Sequence, residues 1–180
     1  MFRVKTTTIT MPVILLVIMF AVPVLSQDTQ SPPPEIQKLY SFEGKWTGTY
    51  DAVMEGQKMT ANASYTWSKI VDGWGMFIDE KIEIPGMPVY LGHNILGYDI
   101  GEKKYHLYTI SNYAQVHDHV GDWKDDKTMY LEYNGIVDGK PYKEKIYMTL
   151  NSPEECVFQV TEYTDGKETG SNKGTFTKSK

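Results

Sequence analysis

The tripeptide His117-Asp118-His119 concentrates more chemistry than any other short segment of this chain. Side chains alternate along a β-strand, so two imidazoles at i and i+2 point to the same side. On a strand spanning 114–124, Gln115, His117, His119, Gly121 and Trp123 share one face, and Val116, Asp118 and Val120 share the other. Such a pair can hold a transition metal when a third ligand arrives from elsewhere. His93, His106 and a carboxylate such as Glu132 are the candidates for that position. Without a third ligand, the pair is a polar outer face or a patch turned toward a ligand.

His93 and His106 lie in apolar or aromatic runs, and His93 alternates with Leu91 and Ile95. The alternation predicts that His93 faces the packed side, as a hydrogen-bonded interior histidine or as a general base. No serine or cysteine near either histidine sits in a nucleophile motif. Cys156, followed by Val157 and Phe158, reads as a small core residue. The acidic stretch from Asp118 to Asp126 lacks the spacing of a calcium loop and reads as a solvated hairpin tip. No complete catalytic constellation is visible, so an enzyme is the less favoured class.

The chain carries 13 tyrosines, 6 phenylalanines and 4 tryptophans, an excess that suits packed β-structure or an aromatic-walled lumen. Aromatic candidates for lining such a lumen are Trp46, Trp67, Trp123, Tyr98, Tyr105 and Tyr108. The polar candidates are His93, His106, His117 and His119. Only some can face inward, because barrel interiors alternate with exteriors, and a one-residue register slip exchanges the two sets.

Positioning these groups falls to short runs rich in Val, Ile, Thr, Tyr, Phe and Trp, separated by turn residues. The runs predict strands at 43–53, 59–71, 74–84, 89–99, 103–111, 114–124, 127–137, 141–150, 155–164 and 169–177. Asp72-Gly73, Pro85-Gly86, Asp138-Gly139 and Asp165-Gly166 are turn chemistry between them. Connections this short leave no room for crossover helices, so the sheet should be antiparallel and up-and-down. Closing about ten strands into a barrel removes the edges, a sandwich being the alternative. Before the strands, Ile36, Leu39 and Tyr40 share one helical face behind Pro34, which predicts a short N-terminal helix able to cap something apolar.

The first 26 residues read as an export signal: a cationic start with Arg3 and Lys5, an apolar stretch from Met11 to Val22, and Val24-Leu25-Ser26 before Gln27. As a membrane anchor the stretch falls short of the ~20 residues a spanning helix needs, and Pro12 and Pro23 interrupt it. The expected organisation is a signal peptide at 1–26, a flexible Pro-rich leader at 27–34 and one domain at 35–180. The expected product is periplasmic or secreted, without stable membrane insertion. Removing Arg3 and Lys5 from 18 basic residues leaves 16 against 23 acidic ones, a net charge of −7. That balance argues against nucleic acid as a partner. A single cysteine excludes an internal disulfide, and the exported domain contains no arginine for bidentate capture of an anion.

Gly44-Lys45-Trp46-Thr47-Gly48-Thr49 is the Gly-x-Trp opening of lipocalin-like barrels, in which glycine lets a strand bend and approach its neighbours. It is followed in order by Trp67-Ser68-Lys69-Ile70-Val71-Asp72-Gly73, Ile95-Leu96-Gly97-Tyr98-Asp99, Lys103-Lys104-Tyr105, Gly121-Asp122-Trp123 and Lys173-Gly174-Thr175-Phe176. This series resembles the uncharacterised, mainly bacterial domain of unknown function 1579 family over nearly all the exported chain. The resemblance implies an all-β, calycin-type, lipocalin-like barrel and supplies no catalytic residues. Haem-binding barrels of the nitrobindin type open similarly, and that likeness would put the iron ligand on a histidine near the C-terminus. The last histidine here is His119, so haem is not expected.

The leading expectation is therefore an exported binder of a small, largely apolar ligand, with no cofactor required. A structural or protein-interaction barrel without a ligand is one alternative, and a metal-assisted enzyme using His117 and His119 is another. Oligomeric state stays open.

Overall fold

A computed structural model describes residues 31–179 apart from Glu55, and the expected signal at 1–26 lies outside the described residues. Ten strands follow one another without a crossover: β1 (Gly44–Met54), β2 (Gln57–Ile70), β3 (Gly75–Glu83), β4 (Tyr90–Asp99), β5 (Lys104–Ser111), β6 (Val116–Trp123), β7 (Thr128–Val137), β8 (Lys140–Ser152), β9 (Glu155–Thr164) and β10 (Lys167–Lys178). Each pairs antiparallel with its neighbours in sequence, and β1 pairs with β10 from Trp46↔Lys178 to Met54↔Gly170. The sheet thus closes into an up-and-down barrel with no open edge.

Expected strand ends agree with the observed ones to within two residues. At the β7–β8 and β9–β10 hairpins the ladder runs further toward the tip than expected. Both tips are Asp-Gly pairs with both residues at positive φ: Asp138 at 51° and Gly139 at 74°, Asp165 at 52° and Gly166 at 73°. That conformation twists in the same sense as the strands, so pairing continues up to a two-residue tip.

Gly48 pairs with Phe176 in the ladder between β1 and β10. A Cβ there would lie 2.2 Å from the Thr175 carbonyl oxygen and 2.8 Å from the Phe176 ring. The second glycine of the Gly-x-Trp-x-Gly opening is therefore a contact requirement, and Trp46 beside it is fully buried.

One end of the barrel is plugged. A short helix, α1 (Pro34–Lys38), runs into a 3-10 turn at Leu39–Phe42, burying Ile36, Leu39 and Phe42. Each such side chain contributes about 1.5–3 kcal/mol when taken fully out of water. Hydrogen bonds fasten the plug: Trp46 Nε1 donates to Phe42 O at 2.7 Å, Tyr105 Oη to Glu35 O at 2.9 Å, Tyr40 Oη to Gly73 O at 2.7 Å and Lys178 Nζ to Ser41 O at 3.4 Å. Phe42 stacks on Trp67 with ring centroids 4.9 Å apart, and Tyr65, Phe158 and Phe176 pack edge to face beyond it. Among the described residues no helix is long and apolar enough to cross a membrane.

Candidate ligand site in the open half of the barrel

Above the aromatic floor the lumen is not filled. A cavity of about 310 Å³ opens at the end opposite the plug. Its floor is Trp67, Tyr65, Phe158 and Met148, and Met87, Pro88 and Tyr113 stand at its rim. The rim is tied across strands: Asn112 accepts from the Leu91 amide and donates to Val89 O, and Tyr113 Oη donates to Pro88 O at 2.9 Å.

The walls are polar in a particular way. Glu80 from β3, Glu144 from β8 and Glu162 from β9 all line the cavity, with His117 and His119 from β6, and among the described residues no lysine or arginine does. Each carboxylate occupies the inward, apolar register of its strand: Met76-Ile78-Glu80-Ile82, Tyr142-Glu144-Ile146-Met148, and Cys156-Phe158-Val160-Glu162.

Glu80 ends a buried chain in which the Tyr50 and Tyr65 hydroxyls bond each other, Tyr65 Oη donates to Glu80 Oε1 at 3.0 Å and Asn94 Nδ2 donates to Oε2 at 3.2 Å. Burial raises the Glu80 carboxyl above the ordinary range despite those donors. Burial also raises Glu162, and the nearby Glu144 charge adds to it. Glu144 behaves oppositely. Burial opposes its charge, yet the imidazoles of His117 and His119 beside it outweigh that and hold it at about 2. His117 Nδ1 lies 3.2 Å and His119 Nε2 3.3 Å from the same oxygen, Glu144 Oε2. The His117 ring stacks on Tyr133 at 4.0 Å. Three buried polar atoms on the cavity wall have no hydrogen-bond partner: Trp67 Nε1, Asn172 Oδ1 and His119 Nε2.

Of the residues expected at a lumen site, Trp67, His117 and His119 come together around this cavity. Trp46, Tyr98, Tyr105 and Trp123 also point inward but pack in the closed half around the plug. His93, His106 and Tyr108 require correction, because they project from the outer face. On β4 the inward set is Gly92, Asn94 and Leu96, and on β5 it is Tyr105, Leu107 and Thr109. His93 is ion-pair close to Asp79 at 2.8 Å, and His106 lies between Glu102 and Asp118. The cause is that these strands also carry apolar side chains on the outer face: Leu91, Ile95, Ile110 and Val116 are all exposed, so hydrophobic neighbours did not mark the packed side. The third group beside His117 and His119 is a carboxylate, one of the kinds expected, but it is none of the residues named for the position. Glu132 is turned outward and bonded to Tyr130, Asn134 and Lys143, while Glu144 fills the position. Glu80, Glu144 and Glu162 were missed, although a single carboxylate among the alternate apolar positions of a strand, as Glu80 between Ile78 and Ile82, is a visible signal.

The family described as "Protein of unknown function (DUF1579)" matches residues 31–178. No curated protein matches the chain. Among solved structures, the S-type phycobiliprotein lyase CPES from Guillardia theta is 15% identical, with a TM-score of 0.56 over 83% of this chain and 99% of that one. EF1p2_mFAP2b bound to DFHBI is 10% identical, with a TM-score of 0.47 over 81% and 99% of the two chains. The redesigned β-barrel mFAP1 bound to DFHBI is 15% identical, with a TM-score of 0.42 over 81% and 100%. At these identities the likeness to the lyase is one of fold.

Proposed function

The chain belongs to the DUF1579 family of proteins of unknown function, and from the open half of its barrel we propose that it is an exported binder of a small, largely apolar molecule that is neutral or cationic. One observation carries this: an aromatic-floored cavity of about 310 Å³ whose walls hold three carboxylates and no lysine or arginine. The volume lies at the small end of the ~300–1,000 Å³ typical of ligand sites. The apolar body of the ligand rests on Trp67 and Phe158, and its donor groups meet Glu80, Glu162 and Asn172. Among the protein's own side chains, an anionic head group, such as a fatty-acid carboxylate, would be buried against Glu80 and Glu162 with no lysine or arginine to offset its desolvation. A barrel packed solid with side chains, the structural alternative, would have no such space.

Trp67 makes this testable, because it lines the cavity and its buried indole N–H has no partner. Titrating the intrinsic fluorescence of the chelator-treated protein with neutral, cationic and anionic hydrophobes should give a saturable change with the first two classes and none with fatty acids. A Trp67→Phe variant should lose the signal while other binding readouts persist. Absence of saturable binding by every class, or preference for fatty acids, refutes the proposal. For export, mass spectrometry of the protein recovered outside the cytoplasm should find a chain starting near Gln27, and retention of residues 1–26 in the cell interior would refute it.

A further inference from the structure

We propose that His117, His119 and Glu144 form a site for one first-row divalent transition metal of the zinc type, open toward the cavity. The inference does not depend on the small-molecule proposal. The three donor atoms lie within 4.8 Å of one another. The two imidazole-to-carboxylate separations, 3.2 and 3.3 Å, are close to the ~3.3 Å edge of a tetrahedron with metal–ligand bonds of about 2.0–2.1 Å. Two imidazoles and one carboxylate suit zinc, cobalt or nickel, whereas magnesium and calcium take all-oxygen sets.

The polar atoms around His119 point the same way. His119 Nδ1 lies 3.4 Å from the Leu107 carbonyl oxygen, an acceptor, so this nitrogen carries the hydrogen. In the neutral ring Nε2 then turns a lone pair, not a proton, toward Glu144. That atom is buried, makes no hydrogen bond, and still sits 3.3 Å from a carboxylate oxygen. A cation between the lone pair and the carboxylate resolves the contact, with Leu107 O as the outer partner that fixes the ring's tautomer. Tyr142 Oη donates to the same carboxylate oxygen at 3.4 Å, and Tyr133 holds the His117 ring by stacking. Three protein ligands leave at least one coordination position facing the cavity, the arrangement of an open site.

The test is metal titration of the chelator-stripped protein with Zn²⁺ in competition with a chromophoric indicator, and with Co²⁺ read by visible absorption. The wild type should take up one equivalent of Zn²⁺, show the intense bands of low-coordinate Co²⁺, and ignore excess Mg²⁺ and Ca²⁺. Glu144→Gln and a His117→Ala/His119→Ala double variant should each weaken Zn²⁺ binding by more than about 100-fold, beyond the loss caused by removing an outer partner. His93→Ala/His106→Ala, on the outer face, should bind as the wild type does. Should a site variant fail to fold, ring-nitrogen shifts in the wild type replace it, with only His117 and His119 moving on Zn²⁺ addition. No stoichiometric uptake, uptake that survives both site variants, or uptake lost with the outer-face histidines overturns the inference. Metal uptake without hydrophobe binding would refute the ligand proposal alone, and the converse would refute this one alone.

Discussion

Tyr65 donates its hydroxyl hydrogen to Glu80 Oε1 at 3.0 Å inside the lumen, and Asn94 holds the other carboxylate oxygen. Glu80 is thereby an ionisable group committed to the interior of an otherwise apolar strand face. Because burial raises its carboxyl above the unfolded value, the native state binds more protons than the unfolded state just above the ordinary carboxylate range. Stability contributed by the protonated form is therefore lost as pH rises through the native value. Glu80→Gln should flatten that decline and raise the urea midpoint at neutral pH, with Asn94 turning its amide to match the new donor. Unfolding midpoints measured between about pH 4 and pH 8 check this, and a variant that is less stable throughout would refute it.

Gly48 has no room for a methyl group, since the nearest atom to a new Cβ is a backbone oxygen 2.2 Å away. Gly48→Ala should cost about 1–3 kcal/mol through a forced shift of β1 against β10. At ~2–4 °C per kcal/mol for a chain of this size, differential scanning calorimetry should show a clear drop in Tm.

Phe42 joins the plug to the barrel through stacking on Trp67 and Trp123. Phe42→Ala should cost about 3–5 kcal/mol by leaving a cavity under the floor. Trp67 would then gain solvent from below, so the emission maximum should shift to the red in the native state. Urea titration with fluorescence detection reads both effects together.

Glu162 is the carboxylate of the cavity wall that makes neither the Tyr65 contact nor the imidazole contacts. Glu162→Lys should invert the preference of the cavity, weakening cationic probes and admitting fatty-acid anions by at least about tenfold, or roughly 1.4 kcal/mol. Competition against a bound fluorescent hydrophobe measures the exchange. Unchanged selectivity would show that the wall charge does not choose the ligand.

Much of the architecture was legible in the order of residues. Asp138-Gly139 and Asp165-Gly166 mark hairpins because their two-residue turn requires positive φ at both positions, a preference that acts locally. The pairing of His117 with His119 on one face was legible for the same kind of reason, the two-residue repeat of a strand. The direction of that face was not. Ile95 and Ile110 on the outer wall are as hydrophobic as Leu96 and Leu107 inside, and residue type alone does not separate them.

By itself, then, the sequence determined ten strands, their antiparallel succession and the alternation of their faces, because turn conformation and side-chain period act over a few residues. Only the tertiary structure decided which faces turn inward, that the plug fills one half, and that Glu144 meets His117 and His119 while Glu132, His93 and His106 do not. Those outcomes depend on the register at which β6, β7 and β8 pair and on the closure of β1 with β10. Both are set by the packing of the whole barrel, in which a one-residue slip would turn every site residue outward.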